Sequence, residues 1–135
     1  MKKIFVCSPY RGNVEENTKL AKFAARILVN AGYIPVVPHL YFPQFMDDND
    51  KYERIRGIKL GTKLMRECDG LWLVGTTITP GMEFELGIAK EIRIPVELYD
   101  EKLCPIDPEI IVLDDRVDDT YRQHIRGLNL GRRVL

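Results

Sequence analysis

The chain has 135 residues, enough for one domain with a proper core and too few for a tandem arrangement. Apolar residues make up 45% and charged residues 30%, which excludes disordered and fibrous classes. Lys plus Arg number 20 and Asp plus Glu 20, and this balance argues against duplex nucleic acid, whose affinity rests on clustered cations.

The chain opens on an apolar run over 3–7 that stops at Ser8-Pro9, which predicts a first strand buried on both faces. Asn13 and Glu16 have the spacing of a capping box. Leu20, Phe23, Ala24, Ile27, Leu28 and Ala31 then recur at three and four, and Gly32 ends that helix. A second strand follows over 33–37, closed by Pro38. Ile55, Ile58, Thr62 and Met65 form a second helical stripe running to about Glu67, and 70–75 is a third strand. Thr79-Pro80 has the form of an N-cap with proline in the first helical position, opening a helix to about Ile92. A fourth strand is predicted over 94–99 and a weaker fifth over 109–113.

Strands alternating with helices through short connections imply parallel pairing and right-handed crossovers. The predicted fold is therefore α/β, a single open parallel sheet of about five strands with helices on both faces, flavodoxin- or Rossmann-like. The core spans about 3–99, and 100–135 is a C-terminal extension.

No apolar run approaches the length of about eighteen residues that a membrane span needs, so no membrane association is expected. The start turns polar after one strand's length, so no leader is expected either. Cys7, Cys68 and Cys104 are odd in number and widely spaced, which signals neither a disulfide framework nor a zinc site and suits a reducing cytoplasm. P-loop spacing and the GxGxxG fingerprint are both lacking, and no metal or other cofactor is expected.

In such sheets ligands lie beyond the carboxyl ends of the strands, where strand order reverses. That rule selects residues 8–13, 38–51 and 75–85. The first segment carries Ser8, Tyr10, Arg11 and Gly12 at a strand-to-helix junction, where backbone amides and a helix dipole suit an anion. The alternative there is that Ser8 and Asn13 only cap while Arg11 is a solvated loop cation. The second is a long connection with Tyr41, Phe42 and Phe45, rings that either stack on a flat ligand or plug the sheet edge. Its Asp-rich end lacks the pattern of a calcium loop and reads as a helix cap. His39 lies at the functional edge but has no partner at metal or nucleophile–base spacing.

The third segment is the most informative. With Met82 set to zero on a helical wheel, Glu83 falls at about 100° among polar neighbours, whereas Glu85 falls at about 300°, amid Leu86, Ala89 and Ile92. A carboxylate on the core side of a helix is costly unless it is paired or used. Glu85 therefore either pairs with a cation such as Arg11 or Arg56 or carries chemistry, while Glu83 reads as a surface acid.

Taken together, Ile4 to Gly12, then Cys68-Asp69-Gly70 leading into a strand, then Thr79-Pro80-Gly81-Met82-Glu83-Phe84-Glu85-Leu86-Gly87-Ile88-Ala89, resemble the nucleoside 2-deoxyribosyltransferase-like superfamily. Pro38-His39-Leu40-Tyr41-Phe42 and Gly81-Met82 are similar to a bacterial and phage branch of it. The resemblance covers about 3–99. It implies a pocket for a nucleoside or nucleotide and Glu85 as the nucleophile that cleaves or transfers at an N-glycosidic bond. It also implies a phosphate held by Ser8, Arg11, Thr79 and Gly81, and a homo-oligomer. The tail over 118–135, with Tyr121, Ile125, Leu128 and Leu130 partly periodic, is a candidate docking helix plus extension. One departure stands out, because Gly61 occupies a position where deoxyribonucleoside-cleaving relatives carry aspartate. Asp47, Asp48 and His39 are the nearby substitutes. The departure leaves a second reading open, a non-catalytic nucleotide sensor with the same pocket.

Overall fold

β1 (Lys3–Cys7) runs through the middle of the molecule with four consecutive residues buried, as a parallel strand covered on both faces requires. The computed structural model describes residues 1–117, 125 and 127–130. After β1 the chain forms α1 (Val14–Asn30), β2 (Ile34–Val36), the single turn α2 (Pro38–Tyr41) and α3 (Lys51–Arg66). It continues through β3 (Gly70–Val74), β4 (Thr77–Ile78), α4 (Pro80–Ile92), β5 (Pro95–Tyr99), β6 (Val112–Leu113) and β7 (Asn129–Leu130).

Five strands make one sheet in the order β2-β1-β3-β5-β7, with every pairing parallel. Because β1 contributes alternate residues to two sides, the core has two layers. Ile4, Val6, Trp72 and Val74 pack with Ala24 and Leu28 of α1 on one face. Phe5, Leu71, Leu73 and Val96 pack with Met65 of α3 and Met82, Leu86 and Ala89 of α4 on the other. From β1 the chain passes outward to β2 and returns to β3 on the opposite side. Strand order therefore reverses between β1 and β3, and the segments leaving them diverge to open a crevice.

Asn13 accepts from the Glu16 amide at the start of α1, and Gly32, at φ 89°, takes the backbone out of the helix after Ala31. Asp50 caps α3 by accepting from the amides of Tyr52 and Glu53, at 2.9 and 3.2 Å. No helix among the described residues is long and apolar enough to cross a membrane.

Several expectations need correction. The strand expected over 109–113 shortens to β6, which pairs only with β4 in a separate two-stranded sheet, and the fifth strand of the main sheet is β7 in the tail. Ile125 and Leu128 pack on this chain's own core, so this part of the supposed docking tail is internal. Its residues 118–124, 126 and 131–135 lie outside the described residues. Phe23 on α1 and Ala31 at its C-cap are exposed although they fit the apolar period, since contact with the sheet runs along Ala21, Ala24 and Leu28. On α3 Ile55 and Leu60 are exposed, whereas Ile58, Thr62 and Met65 of the predicted stripe share a face with the buried Gly61. Small residues let this helix lie against α2, where a Cβ at Gly61 would have Pro38 Cγ as its nearest neighbour, at 3.9 Å. The segment after β2 is also not all loop, because Pro38 sets the first turn of α2.

Candidate functional site

The crevice between the ends of β1 and β3 widens into a cavity of about 440 Å³, walled by the β1–α1 junction, α2, α3 and the start of α4. Seven of the candidate residues line it: Ser8, Tyr10, Arg11, His39, Thr79, Gly81 and Glu85. Gly12 lies outside the lining, where its positive φ of 99° makes the turn into α1. Tyr41 lies outside as well, 61% exposed and packed against Phe42 and Phe45. Of these three rings it is Phe42 that reaches the cavity.

α4 sets the position of Glu85. Thr79 accepts from the Met82 amide at 3.3 Å, Pro80 holds the first helical φ, and Glu85 follows on the second turn. Met82, Leu86 and Ala89 anchor the helix in the core, which turns Glu85 toward the end of β1. Burial pushes its carboxyl up to about 8, opposed in part by a hydrogen bond from the Cys7 thiol. Cys7 is itself fully buried, with Sγ 3.7 Å from the Met82 carbonyl oxygen. Burial first, and then the neighbouring Glu85, hold its thiol well above the usual range, so it acts as a neutral donor.

Neither cation proposed as a partner reaches Glu85. Arg11 Nε pairs with Asp48 Oδ2 at 3.1 Å, and Arg56 Nη1 with Glu53 Oε2 at 3.6 Å. Among the described residues Glu85 has no ion-pair partner, so its burial is not offset by a cation. The acids suggested as stand-ins at Gly61 are engaged too. Asp48 holds Arg11, and Asp47 accepts from the Asn49 amide at 2.9 Å.

His39 stacks on Tyr10, with ring centroids 5.0 Å apart and planes 20° apart, and its Nε2 lies 3.1 Å from the Ser8 carbonyl oxygen. Burial lowers its pKa, against the Ser8 hydrogen bond, so the ring is neutral at pH 7. A carbonyl only accepts, so Nε2 carries the proton and Nδ1 is left as an acceptor. In that form His39 offers a ligand a lone pair rather than a proton.

Ser8 has the most unusual environment. The residue is 1% exposed and lines the cavity, yet its hydroxyl has no hydrogen-bond partner. An unsatisfied buried hydroxyl costs about 1–3 kcal/mol, which a ligand's acceptor would relieve. Ser8→Ala is therefore expected to leave unligated stability unchanged or raised, by up to about 1–3 kcal/mol in urea unfolding. The same change should weaken ligand binding.

Cys7, Arg54 and Arg116 were not singled out from the sequence. Cys7 ends the first strand beside Ser8, which was its only signal. Arg54 lies three and seven residues before Gly57 and Gly61, on the face of α3 that lines the cavity. Arg116 reaches the cavity from the loop after β6, held by Asp114 in two contacts of 2.9 Å. Nothing in its local sequence marks that placement, which depends on the β4–β6 pairing.

Residues 2–99 match the family model described as "Domain of unknown function (DUF7768)". A 2-deoxyribosyltransferase from the psychrotolerant bacterium Bacillus psychrosaccharolyticus is similar in structure, with a TM-score of 0.63, 18% identity, and coverage of 87% of this chain and 93% of that one. A conserved protein from Enterococcus faecalis V583 is similar at a TM-score of 0.55 and 17% identity, over 93% of this chain and 87% of that one. No curated protein matches the sequence. At these identities the likeness is one of fold, an α/β domain with a five-stranded parallel sheet.

Proposed function

The chain belongs to the family described as domain of unknown function DUF7768, and from the cavity in that domain we propose that it binds a nucleoside or nucleotide and acts at the N-glycosidic bond, with Glu85 as nucleophile. The observation that carries this reading is a cavity-lining carboxyl with no ion-pair partner among the described residues, its pKa raised to about 8 by burial. A carboxyl kept for structure alone would more economically be paired or replaced by an apolar residue. The similar fold of a protein described as a 2-deoxyribosyltransferase supports the substrate class.

In the proposed reaction the ionised Glu85 carboxylate attacks the anomeric carbon as the base departs with the electrons of the C–N bond and takes up a proton. The glycosyl ester so formed then passes its sugar to water or to an acceptor base. Apolar side chains of Phe42, Met46 and Met65 suit the flat face of a base. In the same proposal Ser8, Arg11, Thr79 and Gly81 hold a phosphate at the start of α4, where amides and dipole favour an anion. Tyr10 and His39 form the adjoining wall, with His39 Nδ1 accepting from a ligand hydroxyl. Self-association is part of the proposal, and the exposed Tyr52, Ile55 and Leu60 of α3 are an apolar face suited to a second copy.

The test is thermal unfolding with nucleosides and their matching 5′-monophosphates at equal concentration. Monophosphates should raise the midpoint more than nucleosides, by linkage of binding to folding, and the excess should shrink with added salt. Equal shifts from both sets would remove the phosphate from the account, and no shift from any member would count against the nucleotide reading.

A further inference from the structure

We propose that Arg54 recognises an anionic phosphoryl group of the ligand at the α3 wall of the cavity, an assignment that rests on the nucleotide reading above for the rest of the ligand. Among the described residues three guanidinium groups line the cavity, those of Arg11, Arg54 and Arg116. Arg11 is paired with Asp48 through Nε. Arg116 has both Nε and Nη2 engaged by Asp114, so the fork that would grip a phosphate is filled. Glu53, the acid next to Arg54, is paired with Arg56 instead. Among the described residues Arg54 is thus the cavity-lining arginine without an ion pair, and its whole donor fork is left for a ligand.

The wall beside it is built for close approach. Gly57 and Gly61 follow Arg54 at three and seven residues, so the cavity face of α3 carries a long cation and then, about 6 Å apart along the axis, two positions without a side chain, flanked by Ile58 and Thr62. A Cβ at Gly57 would meet nothing within 4 Å, which means the space is open rather than filled by a neighbour. The cavity is also lined by Ser8, whose buried hydroxyl has no hydrogen-bond partner. Two donors lining one cavity, a guanidinium without an ion pair and a hydroxyl without a hydrogen bond, match the acceptor oxygens of a phosphoryl group.

The experiment uses the full chain, with calorimetric titration of a nucleoside, its 5′-monophosphate and inorganic phosphate into wild type, Arg54→Met, Arg54→Lys and Arg56→Met. Arg56 sits on the same helix, is largely exposed and does not line the cavity, so its variant removes the same charge from the same neighbourhood. Arg54→Met should weaken the monophosphate by about ten- to a hundredfold, the usual worth of a charge-assisted contact, and leave nucleoside affinity unchanged. Arg54→Lys should recover part of the loss, and Arg56→Met should change either affinity by no more than about twofold. The unligated unfolding midpoint of each variant checks that the fold is intact, and the Lys variant carries the test if the Met variant is not. The assignment is overturned if Arg54→Met keeps the preference for the monophosphate, if it weakens nucleoside and monophosphate alike, or if Arg56→Met has the same effect. It is also overturned if wild type binds neither phosphate-bearing probe. If inorganic phosphate binds in an Arg54-dependent way while no nucleoside or nucleotide does, the assignment stands and the nucleotide reading falls.

Discussion

Glu85→Gln should lower turnover of a nucleotide substrate by several orders of magnitude while leaving ligand affinity within a few fold. The substitution keeps the shape of the side chain and a hydrogen-bonding oxygen but removes the nucleophile, so the loss should fall on kcat rather than KM. Had Glu85 been one half of a buried ion pair, the same change would strand a cation and cost about 3–5 kcal/mol of stability. Arg11 and Arg56 both have other partners, so no such penalty is expected and the folded state should be as stable or more stable. Glu83→Gln is the comparison on the same helix, and since Glu83 does not line the cavity, turnover should stay near wild type. Steady-state rates and urea unfolding on the three proteins check both halves of the expectation.

Stability should also fall as pH rises across the window that Glu85 sets. Its carboxyl titrates near 4.5 when unfolded and about 8 when folded, so between those values the native state holds a proton that the unfolded chain has released. The contribution is fully present below about pH 4.5 and is lost as pH rises through about 8, at up to about 1.4 kcal/mol per pH unit. Over the whole window this is an effect of several kcal/mol. His39 works in the opposite sense over part of the range, because its lowered pKa favours folding as pH rises, and Asp114, held near 2 by Arg116, matters only in acid. The difference between wild type and Glu85→Gln isolates the single group. Unfolding free energies at pH 5 and pH 9 should show the variant gaining on wild type at the higher pH, and equal differences at both would contradict the burial assigned to Glu85. The same ionisation should appear in kinetics as a rate that climbs toward pH 8, since only the carboxylate attacks.

The parts of the fold legible in the sequence were those where one physical signal dominated. Continuous apolar runs placed β1 and β3, which are buried on both faces, and Thr79-Pro80 marked the start of α4 because cap and proline agree there. β7 was not legible, since two residues carry no periodicity and their strand state depends on pairing with β5. α3 was legible in part, because Ile58, Thr62 and Met65 of its stripe line the cavity beside Gly57 and Gly61, whereas Ile55 is exposed and the two glycines carry no apolar signal of their own. Glu85 stands out by its position on the helical wheel alone. Arg54 does not, because nothing in sequence distinguishes it from Arg56. Only the pairing of Glu53 with the latter, and the place of Arg54 on the cavity wall, separate the two. The engagement of Arg11 by Asp48 was likewise invisible, since those residues meet across 37 positions of chain.

The most direct measurement of the central claim is release of free base from a panel of nucleosides and their 5′-monophosphates, followed by chromatography, with wild type and Glu85→Gln side by side. Wild type is expected to liberate base from at least one member of the panel, with a rate rising toward pH 8, and Glu85→Gln to reduce that rate by several orders of magnitude while still binding the same compound. No release from any member by wild type, or release undiminished in Glu85→Gln, would contradict that claim.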